Sequence, residues 1–480
     1  MRTQAIPLEI SGLAQAEGEF RQLWPEYEST HALDDLRRTE YERLDRLGHV
    51  YLDYTGGGLY ADSQVSTHAD WLRNGVFANP HSHNPTSMVS TELVEQCRRA
   101  VLDYFHASPQ DYEAIFTANA SHALKLVGES FPFREGGQYL LTFDNHNSVN
   151  GIREFARARQ ASIRYLPLTL PDLRVDEAVL DEALQAHEPG GPYLFAYPAQ
   201  SNFSGVQHPL EWLSRARSRG WTTLLDAAAF VPTNELDLRQ WQPDFVSLSF
   251  YKMFGYPTGV GCLLARREAL RRLRRPWFAG GTITVASVQG DRYFLQDGGS
   301  AFEDGTLDYL GIPGVAIGLR HMQRVGIDNI HRRCRCLAAW LIRELQSLRH
   351  ANGAPVVRIY GPNDMAARGG TVTMNFYSAD GAVVDHRLVE TAAADRNLSI
   401  RTGCFCNPGD GELALNLSKS EIVGCFNQPQ VEQTSRFTID DFRLCVDGKN
   451  TGAVRVSLGI ASNFEDVYRF AAFAREFRGV

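Results

Sequence analysis

Thr222-Thr-Leu-Leu-Asp226 and Ser249-Phe-Tyr-Lys-Met-Phe-Gly255 are the two segments on which the fold turns. The first is an apolar strand ending in a carboxylate. The second closes another apolar run, Phe245 to Ser249, and delivers Lys252 just after it. Open α/β sheets bind ligands outside the carboxyl ends of their parallel strands, so the pair sets an acid and an amine at one such edge. Working outward, Tyr112 to Thr117 reads as a strand feeding a helix. Tyr139 to Phe143 precedes a helix from Val149 to Arg159, and Tyr193 to Tyr197 precedes one from Pro209 to Arg219. This alternation predicts an α/β fold with a mainly parallel central sheet covered by helices.

The flanks predict a second, smaller α/β domain. Residues 1–49 read as helices, at Glu19 to Trp24 and Ala32 to Leu47, that contribute to it; residues 50–311 form the large domain, and residues 312–480 the small one. A helix is expected from Thr91 to Phe105. The stretch Ile317 to Leu348 is helical, strands follow at Val356 to Tyr360, Gly370 to Phe376 and Ala453 to Gly459, and the last helix is Asn463 to Phe477. Tyr51-Leu-Asp-Tyr-Thr-Gly-Gly-Gly58 breaks the helical period with glycines that permit close backbone approach, a suitable active-site edge. Asp410 to Thr438 has no settled period and reads as a long loop with one short helix, which hints at an active-site role.

With 480 residues and a net charge of -8, the chain can bury a large core and presents no positive field for nucleic acid. Arg266, Arg267, Arg271, Arg272, Arg274 and Arg275 read as solvating a helix. Neither a leader-like apolar start nor a membrane-length apolar run is present, so a cytoplasmic location is expected. The eight cysteines are weak evidence for disulfides and show no zinc spacing, so no metal is expected. Cys334 and Cys336 read as packing residues, whereas Cys404 and Cys406 stand apart in a Gly/Pro-rich segment.

The chemistry sits in a constellation. Lys252 offers an amine and Asp226 a carboxylate that would hold a ring nitrogen protonated, the requirement of pyridoxal phosphate (PLP). Thr117, Asn119, Ala120 and Ser121 surround a helix start that suits a phosphate, with a simple N-cap as the bland alternative for Thr117. His146 can cover a flat ring and move a proton. Asn202, in Gln200-Ser-Asn-Phe-Ser-Gly205, can donate to a phenolate oxygen or merely form a turn.

On these residues, together with His146-Asn-Ser-Val-Asn-Gly-Ile-Arg153, Phe302-Glu-Asp-Gly-Thr306 and Arg401-Thr-Gly-Cys-Phe-Cys-Asn-Pro-Gly409, the chain resembles the class V aminotransferase superfamily of fold-type I PLP enzymes. Within it, the likeness is strongest to cysteine desulfurases and the amino-terminal domain of molybdenum cofactor sulfurases. The resemblance implies that Lys252 links to the cofactor, Asp226 pairs with its ring nitrogen, Asn202 binds the phenolate side and His146 stacks on the ring. Ser249 and Tyr251 occupy phosphate or ring-pocket positions, with Tyr251 replacing a frequent histidine and Ala229 a frequent glutamine. Thr282, after Gly281, corresponds to a threonine that reaches the neighbouring subunit's phosphate, which implies a homodimer. Arg455 is the implied carboxylate receptor and Arg401 an auxiliary or a structural ion pair. Cys406 matches the persulfide-forming cysteine, with Cys404 beside it; a packing role for both is the alternative.

Two departures qualify the likeness. The family motif runs from Asn-Pro-Gly into Ala-Cys, whereas here Gly409 is followed by Asp-Gly-Glu-Leu413, and no carboxy-terminal delivery domain is expected after the last helix. The leading expectation is an L-cysteine desulfurase that passes sulfur to a separate acceptor, with neither nucleic acid nor membrane as partner. A C–S or β-elimination lyase acting on a cysteine derivative is the alternative, and a non-enzymatic PLP-fold scaffold a third.

Overall fold

A computed structural model describes residues 11–185, 191–428, 437–446 and 448–479. The expectation about the first ten residues and part of that for Asp410 to Thr438 therefore lie outside the described residues. The central sheet has seven strands: β1 (Tyr112–Thr117), β2 (Gln138–Thr142), β3 (Ser162–Leu166), β4 (Tyr193–Pro198), β5 (Thr222–Asp226), β6 (Phe245–Ser249) and β7 (Gly261–Arg266). Their spatial order is β1-β7-β6-β5-β4-β2-β3, with β7 antiparallel to both neighbours and the remaining pairs parallel.

Both faces of this sheet are covered, as apolar strands without polar alternation require. Leu141, Leu194, Leu224, Phe245 and Leu263 pack on one side, and their sequence neighbours Leu140, Phe195, Leu225, Val246 and Leu264 on the other; all ten are buried. A second, antiparallel sheet follows: β8 (Val357–Tyr360), β9 (Thr371–Phe376), β10 (Arg401–Gly403) and β11 (Ala453–Ser457), in the order β8-β9-β11-β10.

The amino-terminal helices pack against late parts of the chain. Arg37 pairs with buried Asp466 at 2.5 Å, and buried Arg333 holds Asp34 at 2.6 Å and the Thr30 carbonyl at 2.9 Å. Val50–Tyr51 runs parallel to Leu398–Ser399, and the Leu52 carbonyl accepts the Ser457 N–H at 2.7 Å. The stretch after Val50–Tyr51 thus bridges the two sheets, since the Gly58 N–H also donates to the Tyr251 carbonyl at 2.9 Å.

Several elements differ from expectation, each for a local reason. The helix at Ala32 stops at Glu40 because Tyr41 turns inward to His321 (3.1 Å), and a short helix resumes at Arg43–Arg46. The helix expected from Thr91 begins at Pro85, where Asn84 accepts the Ser87 N–H and proline suits the first turn. Ile317 to Leu348 is two helices, Ile312–Val325 and Ile327–Ser347, parted by Gly326 at φ 80°. Helices Pro408–Ala414 and Lys419–Phe426 occupy much of what reads as loop.

Two further expectations are corrected. Cys425 and Cys445 form a disulfide across a separation of 20 residues, so the cysteine count does carry a bond. The arginines from 266 to 275 do not coat a helix: only Arg267 starts the four-residue helix Arg267–Leu270, while buried Arg275 pairs with Glu129 and Asp304. Among the described residues, no helix is long and apolar enough to cross a membrane.

Candidate active site

A cavity of about 360 Å³ opens at the carboxyl ends of β4, β5 and β6. Asn119, Ala120, Ser121, His146, Asn202, Asp226, Ser249, Tyr251 and Lys252 all line it, so the acid and the amine that decide the fold face one space. Strand β5 ends at Asp226 and β6 at Ser249; the five-residue helix Phe250–Phe254 then carries Lys252 over the edge.

Asp226 is half satisfied. Its Oδ1 accepts the Ala228 N–H and the Ser247 hydroxyl, both at 3.1 Å, and Oδ2 has no donor among the described residues. Burial pushes the Lys252 ammonium below its ordinary pKa; Asp226 opposes the shift and Arg455 adds to it. The lysine is therefore more readily neutral and nucleophilic than a surface one.

His146 caps the helix Asn147–Asn150: its Nδ1 accepts the Ser148 N–H at 3.1 Å, which leaves the neutral ring's proton on Nε2. Burial lowers its pKa, against the pull of Asp226 and with the help of Lys252 and Arg455, so the ring is neutral at pH 7.

The helix Ala120–Ser130 starts at the cavity wall. Asn119, not Thr117, is its N-cap, accepting the His122 N–H at 2.9 Å, while Ser249 Oγ accepts the Ala120 N–H at 3.0 Å. Ser121 and Ser148 share a 2.6 Å hydroxyl contact at the rim. Thr117 spends its hydroxyl on the Asn119 carbonyl at 2.9 Å and lines an adjoining cleft with His122 and Asp304. A helix N-terminus, a carboxylate oxygen without a donor and a desolvated amine around one cavity fit the phosphate, ring nitrogen and aldehyde of PLP.

The residues beyond the cavity wall divide in two. Arg455, on β11, is buried; it donates to the Asn202 carbonyl at 2.9 Å and to Asp53 Oδ1 at 3.1 Å, and its guanidinium lies 4.6 Å over the Phe405 ring. Its Nε is buried without an acceptor among the described residues. Arg401, half exposed, pairs with Asp53 Oδ2 at 2.6 Å. Asp53 thus bridges the two cations, a role that sequence reasoning missed although it singled out the segment. The neighbouring glycines are sterically required. A Cβ on Gly56 would sit 2.5 Å from Asp53 Oδ2, and one on Gly58 would sit 2.9 Å from the Lys252 carbonyl. Thr282 does not reach the cavity in the single chain, since its hydroxyl closes its own turn onto Ala279.

Cys404 and Cys406 are exposed on the loop after β10 and do not line the cavity wall. Phe405 and Cys406 are both left-handed, at φ 56° and 55°. The Asn202 amide, expected on the cofactor, lines the cavity and donates to the Phe405 carbonyl at 2.7 Å, and the Asn147 N–H holds the Cys406 carbonyl at 2.7 Å. The cysteine loop is therefore pinned to two walls of the cavity. Gly409 lies so close to Phe143 that a Cβ would stand 1.8 Å from its carbonyl oxygen. Gly409→Ala is accordingly expected to lower unfolding free energy by about 3 kcal/mol in urea titrations, as overpacking against backbone does.

Comparison with known proteins agrees with this geometry. The family model for class V aminotransferases matches residues 50–470. A molybdenum cofactor sulfurase from Bos taurus is 38% identical over 465 residues, covering 92% of this chain and 51% of that protein. One from Arabidopsis thaliana is 36% identical over 478 residues, covering 92% and 57%. The chain thus spans about half the length of the curated relatives it matches. Among solved structures, a cysteine desulfurase from Thermococcus onnurineus superposes with a TM-score of 0.74 at 22% identity, covering 92% of this chain and 97% of that one. A cystine C–S lyase in complex with its product, cysteine persulfide, gives 0.67 at 18%, covering 90% and 98%. These two similarities show the fold.

Proposed function

The chain belongs to the class V aminotransferase family, and from that membership we propose that it is a PLP-dependent cysteine desulfurase of the sulfurase type, converting L-cysteine to L-alanine with the sulfur carried on Cys406. When bound, the cofactor supplies an aldehyde for covalent attachment and an electron sink beside the substrate's Cα. Asp226 Oδ2 holds the ring nitrogen, the start of the helix Ala120–Ser130 holds the phosphate with Ser121 and Ser249, and His146 covers the ring. Lys252 is the attachment point and the base nearest the substrate. Arg455 receives the substrate carboxylate, and Arg401 keeps Asp53 oriented toward it.

Cys406 Sγ attacks the substrate sulfur. The new bond is sulfur to sulfur, the bond that breaks is Cβ–S, and its electron pair remains on Cβ, which takes a proton to become the methyl group of alanine. The observation that carries this reading is the convergence of Lys252, Asp226 and His146 on one cavity whose wall residue Asn202 also holds the cysteine loop.

Incubating the holoprotein with L-cysteine is expected to yield alanine and a one-sulfur adduct on Cys406, seen by peptide mass spectrometry. Cys406→Ala should lose the adduct and about 100-fold or more of alanine formation while retaining bound cofactor. Pyruvate and ammonia without an adduct would instead establish the C–S lyase reading, which the exposure of Cys406 and the likeness to a C–S lyase structure keep in play.

The same reading includes a homodimer in which Thr282 reaches the partner's cavity. The hairpin that follows it, Ile283–Ser287 with Arg292–Leu295, supports this by exposing Val285, Val288 and Phe294. It also includes a cytoplasmic setting, a separate sulfur acceptor, and a division into residues 50–311 and 312–480 with the first 49 joining the latter. The two separate sheets and the Arg37–Asp466 and Arg333–Asp34 pairs support that division.

A further inference from the structure

Beneath the cysteine loop lies a buried polar cluster that the reaction above does not use. Asp144, Ser201, Asn407 and Asp410 have no exposed surface and His208 has 4%. Ser201 donates its hydroxyl to Asp410 Oδ2 at 2.6 Å while accepting the N–H groups of Phe203 and Ser204 at 3.1 Å. The Asn407 amide reaches the same Oδ2 at 3.3 Å, the Asp144 carbonyl at 2.8 Å and Asn202 Oδ1 at 3.1 Å. Asn202 in turn holds the Phe405 carbonyl. A continuous hydrogen-bonded path therefore runs from Asp410 through Asn407 and Asn202 to the residue before Cys406.

That path ends on two consecutive left-handed residues that carry side chains, a conformation kept only where its surroundings over-determine it. We propose that Asp410 is the positioning residue of the cysteine loop: it fixes Asn407, and through Asn202 keeps Phe405 and Cys406 left-handed, so that the Cys406 thiol is held in one orientation beside the cavity. The loop geometry needs no assumption about the reaction; only the kinetic consequence rests on the desulfurase reading.

The cluster also makes the loop sensitive to pH. Burial raises the Asp410 pKa well above the ordinary carboxylate range, and the charge of Asp144 adds to it. The titratable groups facing it are Asp144 and, bound to Asp144 Oδ2 at 2.7 Å, His208. A carboxyl group with a raised folded pKa contributes most below its ordinary pKa of about 3.9, and that contribution is lost as pH rises through the folded value. Asp410→Asn keeps an acceptor for Ser201 and Asn407 and has no proton to lose.

The test is iodoacetamide alkylation of the holoprotein, with Cys406 and Cys404 followed separately by peptide mass spectrometry between about pH 5 and about pH 9, an interval chosen around the pH at which proteins are generally most stable. Asp410→Ala should shift the Cys406-to-Cys404 rate ratio about fivefold, the worth of one lost hydrogen bond, with the cofactor absorbance unchanged. It should lower kcat for alanine formation at unchanged KM. Asp410→Asn should restore the ratio and flatten its pH dependence. An unchanged ratio in folded Asp410→Ala overturns the proposal. If that variant does not fold, Ser201→Ala removes the other end of the same bond and is held to the same shift. A shifted ratio in a protein that makes no alanine would sink the desulfurase reading and leave the positioning role standing.

Discussion

Lys252→Ala is expected to reduce turnover of L-cysteine, the proposed substrate, by about 10⁴-fold or more, because in the proposed reaction one side chain supplies both the covalent tether and the nearest base. Lys252→Arg should lose as much, since a guanidinium keeps the charge but is neither nucleophile nor base at neutral pH. Lys252→Ala should not unfold the protein: the helix Phe250–Phe254 is anchored by buried Phe250, Met253 and Phe254, and removing a desolvated amine relieves a cost. The bound cofactor should then wash out on dialysis and give no borohydride-fixed adduct on the peptide containing residue 252. A second signature lies in His146. The lysine's charge helps to depress the histidine, so its NMR titration should move upward in Lys252→Ala. Turnover within tenfold of the parent protein would refute the assignment.

Arg455→Ala carries the second large effect, and it falls on binding and stability together. A planar cation that meets a carboxylate through charge-assisted hydrogen bonds is worth enough that its loss should raise KM for L-cysteine about 100-fold. The same change leaves Asp53 Oδ1 buried without a partner, which for a broken buried pair costs about 3–5 kcal/mol. The lower end is expected, because Arg401 still reaches Oδ2 from a half-exposed position. Arg455→Lys should fall between, as a point charge cannot span the Asn202 carbonyl and Asp53 at once. Asp53→Asn separates the two effects: it weakens the hold on Arg455 without removing the receptor. Steady-state kinetics and thermal unfolding read both. An unchanged KM in Arg455→Ala would mean that another group receives the carboxylate.

The central sheet was legible because its strands are continuous apolar runs closed by chemistry-bearing residues: Phe245 to Ser249 reads as a strand and is one, residue for residue. Helix ends were less legible. Asn84 and Pro85 announce a start that the apolar period, read from Thr91, does not contain, and Gly326 divides a helix that the period alone runs straight through. At the site, Lys252, Asp226 and His146 were legible because each stands at the end of a local pattern. Asp53 was not, since its partners lie 348 and 402 residues away and no local signal encodes them. Asn202 was read as a functional amide and does line the cavity, but its bond to the Phe405 carbonyl was not legible, because a loop that returns from position 405 is invisible from position 202.

The bridge at Asp53 has a consequence for how the molecule comes to exist. A ribosome releases the aspartate early and both of its arginines hundreds of residues later, after the seven-stranded sheet has had time to assemble. During that interval the early carboxylate is hydrated and Arg455, the proposed receptor for the substrate carboxylate, is not yet in place. On that proposal, competence to bind substrate is acquired late in synthesis, as the strand bearing Arg455 docks beside residues 52 and 53.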